Sequence, residues 1–169
     1  MANQAIHVNG PALVYVQQAG RGSIKQLGIP EDGVDIEINH HDQPVMTDGA
    51  GPVLPADLQD MGQDAIIRMA LSAYDIDLLN EVRRRGNAAK EGQSGSRGRL
   101  LGANGHTFKL LIASETDQPW RFFTAVLRGP LHTKPATRYS VQRLTWYAWA
   151  LVGAANNSAG AGLYDHTFG

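Results

Sequence analysis

The chain contains no cysteine, no long apolar run and little net charge. Without cysteine, disulfide bonds, thiolate zinc sites and cysteine nucleophiles are all excluded. No stretch approaches the roughly 18 to 20 apolar residues of a membrane-spanning helix, and residues 1–4 have neither the basic start nor the apolar stretch of a signal peptide. These absences predict a protein that is made and kept in a cytoplasm, with no membrane as a partner.

The composition is that of an ordinary globular protein. The 169 residues are 43% hydrophobic and 18% charged, with a formal net charge of -1. This balance excludes the disordered, collagen-like and coiled-coil classes. A chain of this length is long enough for one domain with its own hydrophobic core.

Recognisable catalytic and phosphate-binding motifs are also missing. Neither G-x-x-x-x-G-K-[ST] nor G-x-G-x-x-G occurs, and Ser94 lacks the glycine two residues before it that a nucleophile elbow needs. We therefore expect no enzymatic activity and no bound cofactor.

The best candidate for a metal site is the pair His40 and His41 beside Asp42. Adjacent residues of a strand point to opposite faces, so two neighbouring histidines rarely chelate one ion. A hairpin turn in solvent is the favoured interpretation, and no metal is expected. A small hydrolase that uses His40 or His41 with nearby carboxylates stays open as a minor hypothesis.

The clearest strand signal lies between residues 33 and 48. Val34, Ile36 and Ile38 alternate with polar residues, which is the period-two pattern of a strand with one buried and one wet face. The polar residues 41–43 then predict a turn, so that 33–48 forms a hairpin with a mostly acidic outer face.

Further strands are predicted by runs rich in β-branched and aromatic residues. They cover 12–16, 24–28, 65–72, 106–112, 120–127 and 139–151. In the last run, one predicted face consists of Gln142, Leu144, Trp146 and Ala148. Together these segments predict an all-β fold with one short α-helix, built as an antiparallel sandwich or a barrel-like sheet.

The one predicted helix covers residues 75–85. Asp75 is a suitable N-cap, apolar residues follow at helical spacing, and Gly86 is a suitable stop. The apolar residues expected to dock on the sheet are Ile76, Leu79 and Val82, with Leu78 beside them.

Two glycine-rich segments define the predicted domain organisation. Residues 86–99 form a long loop inside a single domain of residues 1–152. Residues 153–169 form a C-terminal arm that is either frayed or anchored on a neighbour by its aromatic side chains.

Charge is distributed unevenly along the chain. Residues 1–64 carry nine acids and two bases, whereas residues 65–169 carry seven acids and thirteen bases. A polarised molecule suits head-to-tail association between an acidic and a basic surface. Folding that interleaves the two halves would erase this polarity, and both interpretations stay open.

Three stretches together resemble the tail tube proteins of bacteriophages and related contractile machines. They are an acidic strand at 31–38, a lead-in to a central strand at 57–67, and the segment 119–127 followed by 137–141. The resemblance is one of pattern and extends over much of the chain.

This resemblance implies a virion tail protein that assembles in the host cytoplasm with itself and with other tail proteins. It implies stacked hexameric rings whose strands join into an inner barrel, through which DNA passes without specific binding. The acids implied to face this channel are Asp35, Glu37 and Asp42. The bases implied to contact another subunit are Arg83, Arg84, Arg85, Lys90, Arg97 and Arg99.

Two other structural roles stay open on the sequence alone. A capsid decoration protein or a head-to-tail connector would also be all-β and oligomeric. The segment 153–169 departs from a compact tube subunit, so a specialised neck or baseplate ring is a further possibility.

Overall fold

The computed structural model describes residues 4–8, 12–18, 22–46, 55–84, 106–114, 118–128, 132–134, 141–150 and 162–166. Within these residues the chain forms nine strands and one helix. The elements are β1 (Gln4–Val8), β2 (Ala12–Gln18), β3 (Lys25–Val45), β4 (Asp57–Tyr74), α1 (Ile76–Arg83), β5 (Phe108–Ser114), β6 (Trp120–Leu127), β7 (His132–Lys134), β8 (Val141–Trp149) and β9 (Tyr164–Asp165).

Six of the strands close into an antiparallel barrel. Going round the barrel, the order is β2, β3, β4, β8, β6 and β5, and β5 pairs back to β2. Strand β1 adds to β3, β7 adds to β8, and β9 adds to β6. This confirms the predicted all-β fold and gives it the barrel form rather than two separate sheets.

Period-two alternation fills the barrel interior. Val34, Ile36 and Ile38 point inward from β3, as the sequence predicts, and every second residue of β8 from Gln142 to Ala148 is buried. Trp120 and Trp146 are both fully buried, and each such side chain contributes about 1.5–3 kcal/mol of transfer free energy. The core is therefore a filled barrel built from one face of each strand.

The predicted turn at residues 41–43 is wrong. Strand β3 continues through these residues to Val45, and Asp42 and Gln43 pair with Asp60 and Gln59 of β4. The sequence misleads here because this part of β3 covers no core, so both of its faces are polar or exposed. The Pro30–Gly33 segment is likewise a bulge within β3, with Gly33 at φ 87°, and not a break between two strands.

Helix α1 follows β4 directly and packs against the barrel. The carboxylate of Asp75 accepts hydrogen bonds from the backbone N–H groups of Asp77 and Leu78, each at 3.0 Å, which confirms the predicted cap. Leu78, Leu79 and Val82 are buried, but Ile76 is 54% exposed and does not dock as predicted. In the first turn, Ile76 lies on the solvent side of the helix. Gly86 lies outside the described residues.

The described part of the C-terminal segment lies on the chain's own barrel. Leu163 is buried in the core, and Tyr164 pairs with Phe122 while its ring centroid lies 5.2 Å from that of Trp120. The predicted loop at 86–99 and the rest of 153–169 lie outside the described residues, so the division at residue 152 stays a prediction. Among the residues described, no helix is long and apolar enough to cross a membrane.

Substitutions at two residues of α1 test whether its buried side chains hold the helix on the barrel. Leu79→Ala removes a buried side chain and is expected to lower the free energy of unfolding by about 2–5 kcal/mol. Ile76→Ala removes an exposed side chain from the same helix and is the matched control, with an expected change of about 0.5 kcal/mol or less. Urea unfolding of both variants measures the difference, and equal losses would contradict this packing.

Candidate functional site

The barrel extends into a two-stranded hairpin that we call the distal hairpin, residues 40–46 and 55–63. Strand β8 ends at Trp149, opposite Asp64, and beyond this point only β3 and β4 remain paired. The distal hairpin is thus about 20 Å long, at 3.4 Å per residue over six residues of β3. Within the described residues, no third strand pairs with either of its edges.

The distal hairpin exposes most of the large apolar side chains that the described surface presents. Leu58 and Met61 are 59% and 58% exposed, and Val45 and Met46 are exposed as well. It also carries Asp42, Asp57 and Asp60 and contains no lysine or arginine. The surface is therefore both apolar and acidic. An isolated two-stranded hairpin is only marginally stable in water, and exposed apolar side chains are typical of a surface that contacts a partner.

One face of the distal hairpin carries a pair of acids next to apolar side chains. Asp42 lies directly opposite Asp60, and two residues further along the same face Pro44 lies opposite Leu58. Like charges directly opposite each other destabilise a β-ladder. A cationic group that binds between Asp42 and Asp60 would remove this repulsion.

A hydrogen-bonded cluster lies where the distal hairpin leaves the barrel. The side chain of Asp64 is 14% exposed; its Oδ1 accepts from Nδ2 of Asn39 at 2.9 Å, and its Oδ2 accepts from the hydroxyl of Tyr147 at 2.9 Å. Nε2 of His41 lies 2.8 Å from the same Oδ2. The cluster joins β3, β4 and β8 and so fixes the base of the distal hairpin.

The cluster changes the protonation of two of its members. Burial alone would raise the pKa of Asp64, but the hydrogen bonds from Asn39, His41 and Tyr147 outweigh it and lower this pKa below its ordinary value of 3.8. Burial and the nearby Asp64 carboxylate raise the pKa of Tyr147 above its ordinary value. The guanidinium of Arg128 lies 4.9 Å from the ring centre of Tyr147 and opposes that rise.

Two of the three predicted channel acids lie together on the outer face of β3. Arg68 of β4 lies between them, 2.8 Å from Glu37 and 3.6 Å from Asp35. Asp42 lies apart from them, on the distal hairpin. Arg68 is the single charge in the apolar run 65–72, and this is the one feature of the sequence that indicates the contact. That the three acids face a channel stays a prediction.

Of the six bases predicted to contact another subunit, the structure describes Arg83 and Arg84. Both lie at the C-terminal end of α1, where Nε of Arg84 donates to the carbonyl oxygen of Asn80 at 3.1 Å. The other four, Arg85, Lys90, Arg97 and Arg99, lie outside the described residues. A role of this group in subunit contact stays a prediction.

The hydrolase hypothesis depends on His40 or His41 with nearby carboxylates. His41 contacts Asp64 but is half exposed on the distal hairpin. Nδ1 of His40 lies 3.0 Å from Nε2 of Gln63. Two shallow depressions of the structure lie elsewhere, around β2 and β5, and contain neither histidine. In the described part of the chain, no three histidine, aspartate or glutamate residues come together as a metal site.

No protein-family profile and no curated protein sequence matches the chain. One solved structure that matches is described as the tail of an empty GTA particle, computed with helical refinement in C6 symmetry. The two are 12% identical, the alignment covers 92% of this chain and 95% of that one, and the TM-score is 0.48. At this TM-score and identity the match carries no argument about function.

The Asp64 cluster predicts a pH-dependent contribution to stability. Because the pKa of Asp64 is lower in the folded protein, its contribution is complete above pH 3.8 and is lost as the pH falls further. Asp64→Asn should lower the free energy of unfolding by about 1–2 kcal/mol near neutral pH. This deficit should shrink as the pH falls below 3.8.

Urea unfolding of wild type and Asp64→Asn, between about pH 6 and pH 3, measures the deficit. Asp32→Asn, a change of an exposed aspartate on the β3 bulge, is the control. A deficit that is the same at every pH would show that the carboxylate charge of Asp64 does not matter.

Proposed function

We propose that this protein is a virion structural protein that forms the tail tube of a phage. In this proposal hexameric rings of the chain stack and leave a channel through which DNA passes. The distal hairpin is the observation that carries the proposal, because an apolar and acidic β-ribbon whose two edges no described strand covers is suited to pairing with another chain.

The closed barrel supports the same conclusion. Its six strands satisfy one another's backbone groups around the ring, so the barrel wall itself offers no edge for assembly. Association through strand pairing must then use the distal hairpin or the added strands β1, β7 and β9. A subunit of this design is a stable unit before assembly and carries its joining elements outside the core.

The outer face of β3 is the proposed channel surface. Asp35, Glu37 and Arg68 together carry a net charge of -1 there. An acidic wall repels the phosphate backbone, so DNA slides along it without specific binding. The protein would then act without catalysis, in contact with other tail proteins, after assembly in the host cytoplasm.

The first test is the assembly state of the purified protein. Light scattering and negative-stain electron microscopy over a range of concentrations should show hexameric rings or hollow filaments. Leu58→Lys with Met61→Lys should abolish them without unfolding the barrel, because both side chains are exposed on the distal hairpin. Ile76→Lys, which changes an equally exposed side chain on α1, should leave assembly intact.

Other outcomes discriminate between the alternatives. Twelvefold rings would indicate a head-to-tail connector, and trimers that form only on capsids would indicate a decoration protein. A monomer at every concentration would contradict the proposed tube.

The channel surface has its own test. Asp35→Asn with Glu37→Gln leaves Arg68 without its acids and changes the charge of this surface from -1 to +1. The assembled variant should gain salt-dependent binding to duplex DNA, measured by fluorescence anisotropy of a labelled duplex, whereas the assembled wild type should not bind. Glu31→Gln with Asp32→Asn makes the same charge change on the β3 bulge and is the control. Tight binding of DNA by the wild type would contradict an inert channel.

A further inference from the structure

A second unusual surface lies on the outer face of β2, β5 and β6, and we call it the β5 groove. Outward-pointing residues of these strands and of the segment before β3 line it. They include Tyr15, Gln17, Ile24, Lys109, Leu111, Arg121 and Phe123.

The β5 groove is apolar with a basic border. Tyr15, Leu111 and Arg121 form one row across the three strands, since Leu111 pairs with Tyr15 on one side and with Arg121 on the other. Ile24 is 54% exposed at its edge. The strands β2, β5 and β6 contain two bases and no acid. Asp165 lies 3.9 Å from Arg121, but both side chains are more than half exposed and this pair offsets little.

The size of the β5 groove argues against a small ligand. Its volume is about 50 Å³, whereas sites for organic molecules occupy roughly 300–1,000 Å³. A shallow apolar surface with a charged border is instead typical of a protein contact.

The distal hairpin and the β5 groove carry charges of opposite sign, and both expose apolar side chains. The face of the distal hairpin that carries the acid pair Asp42 and Asp60 continues into Pro44 and Leu58. The groove offers the bases Lys109 and Arg121 next to apolar side chains. Docking would place a cation near the two repelling carboxylates and would cover the exposed apolar side chains of both surfaces.

The two surfaces belong to opposite walls of the barrel. The β3–β4 pair is separated from the β5–β6 pair by β2 on one side and by β8 on the other. A contact between these surfaces therefore joins two molecules, and the pair keeps one free hairpin and one free groove. Such a head-to-tail contact either closes into a ring or continues as a filament.

We infer that the distal hairpin of one copy docks on the β5 groove of the next copy, with Asp42 and Asp60 facing Lys109 and Arg121. This inference rests on the proposed self-assembly and names the two surfaces that carry it. Because the contact is partly ionic, it weakens as the salt concentration rises.

Two charge-reversed variants test the docking. The hairpin variant is Asp42→Lys with Asp60→Lys, and the groove variant is Lys109→Glu with Arg121→Glu. Each alone should remain monomeric by light scattering at concentrations where the wild type is fully assembled. An equimolar mixture should assemble again with the two chains alternating, because the intact hairpin docks on the intact groove and the reversed hairpin docks on the reversed groove. A chain with all four changes should assemble again.

Matched controls separate these effects from a general change of charge. Glu31→Lys with Asp32→Lys alters two exposed acids on the β3 bulge, and Arg143→Glu alters an exposed base on β8. Both should assemble like the wild type, and circular dichroism should show that all variants are folded.

The outcomes distinguish this inference from the proposed function. The docking is overturned if the hairpin or groove variant assembles like the wild type, or if the folded mixture stays monomeric. Neither result contradicts the proposed tube. If the wild type forms chains that depend on these four residues but never hexameric rings, the docking stands and the proposed tube fails. A wild type that is monomeric at every concentration overturns both.

Discussion

The ladder between β3 and β4 runs from Gly28 opposite Tyr74 to Val45 opposite Asp57, and the remaining strands are added to its two edges. Strands β1 and β2 pair with β3, β8 pairs with β4, and β6 and β5 then close the ring. Along its first part this ladder has a buried face, and along its last part it has none. The barrel core and the distal hairpin therefore lie at two ends of one continuous β3–β4 ladder. The buried end of this ladder sets the direction in which the distal hairpin extends.

Local patterns predict those parts of the structure that local forces determine. The alternation from Val34 to Ile38 identifies a half-buried strand, and the Asp75 cap identifies the start of α1. The same patterns fail where burial is absent, as at residues 41–43, because a strand without a core face has no hydrophobic period to detect. The contacts of Asp64 with Asn39 and Tyr147 escape prediction for another reason. They depend on the register of three strands that are far apart in sequence.

The segregation of charge along the sequence survives folding only in part. Arg68, from the basic portion, lies between Asp35 and Glu37 and neutralises much of that acidic strand. Beyond Asp64 no base reaches the acids of the distal hairpin among the described contacts, so the acidic character is concentrated there. Among the described residues, the acids of the distal hairpin thus stay uncompensated, and the rest of the acidic half is partly neutralised by Arg68.

The pairing of Asp42 with Asp60 has a consequence for the protein before it meets any partner. A ribbon with open edges and exposed leucine and methionine is an aggregation hazard, since a ribbon of a second chain can add to it in any register. Two such ribbons that approach edge to edge bring four carboxylates together and repel each other. In the proposed assembly the acid pair would therefore act as a gatekeeper against edge-to-edge pairing of newly made subunits, and a basic surface on the next copy would remove this effect.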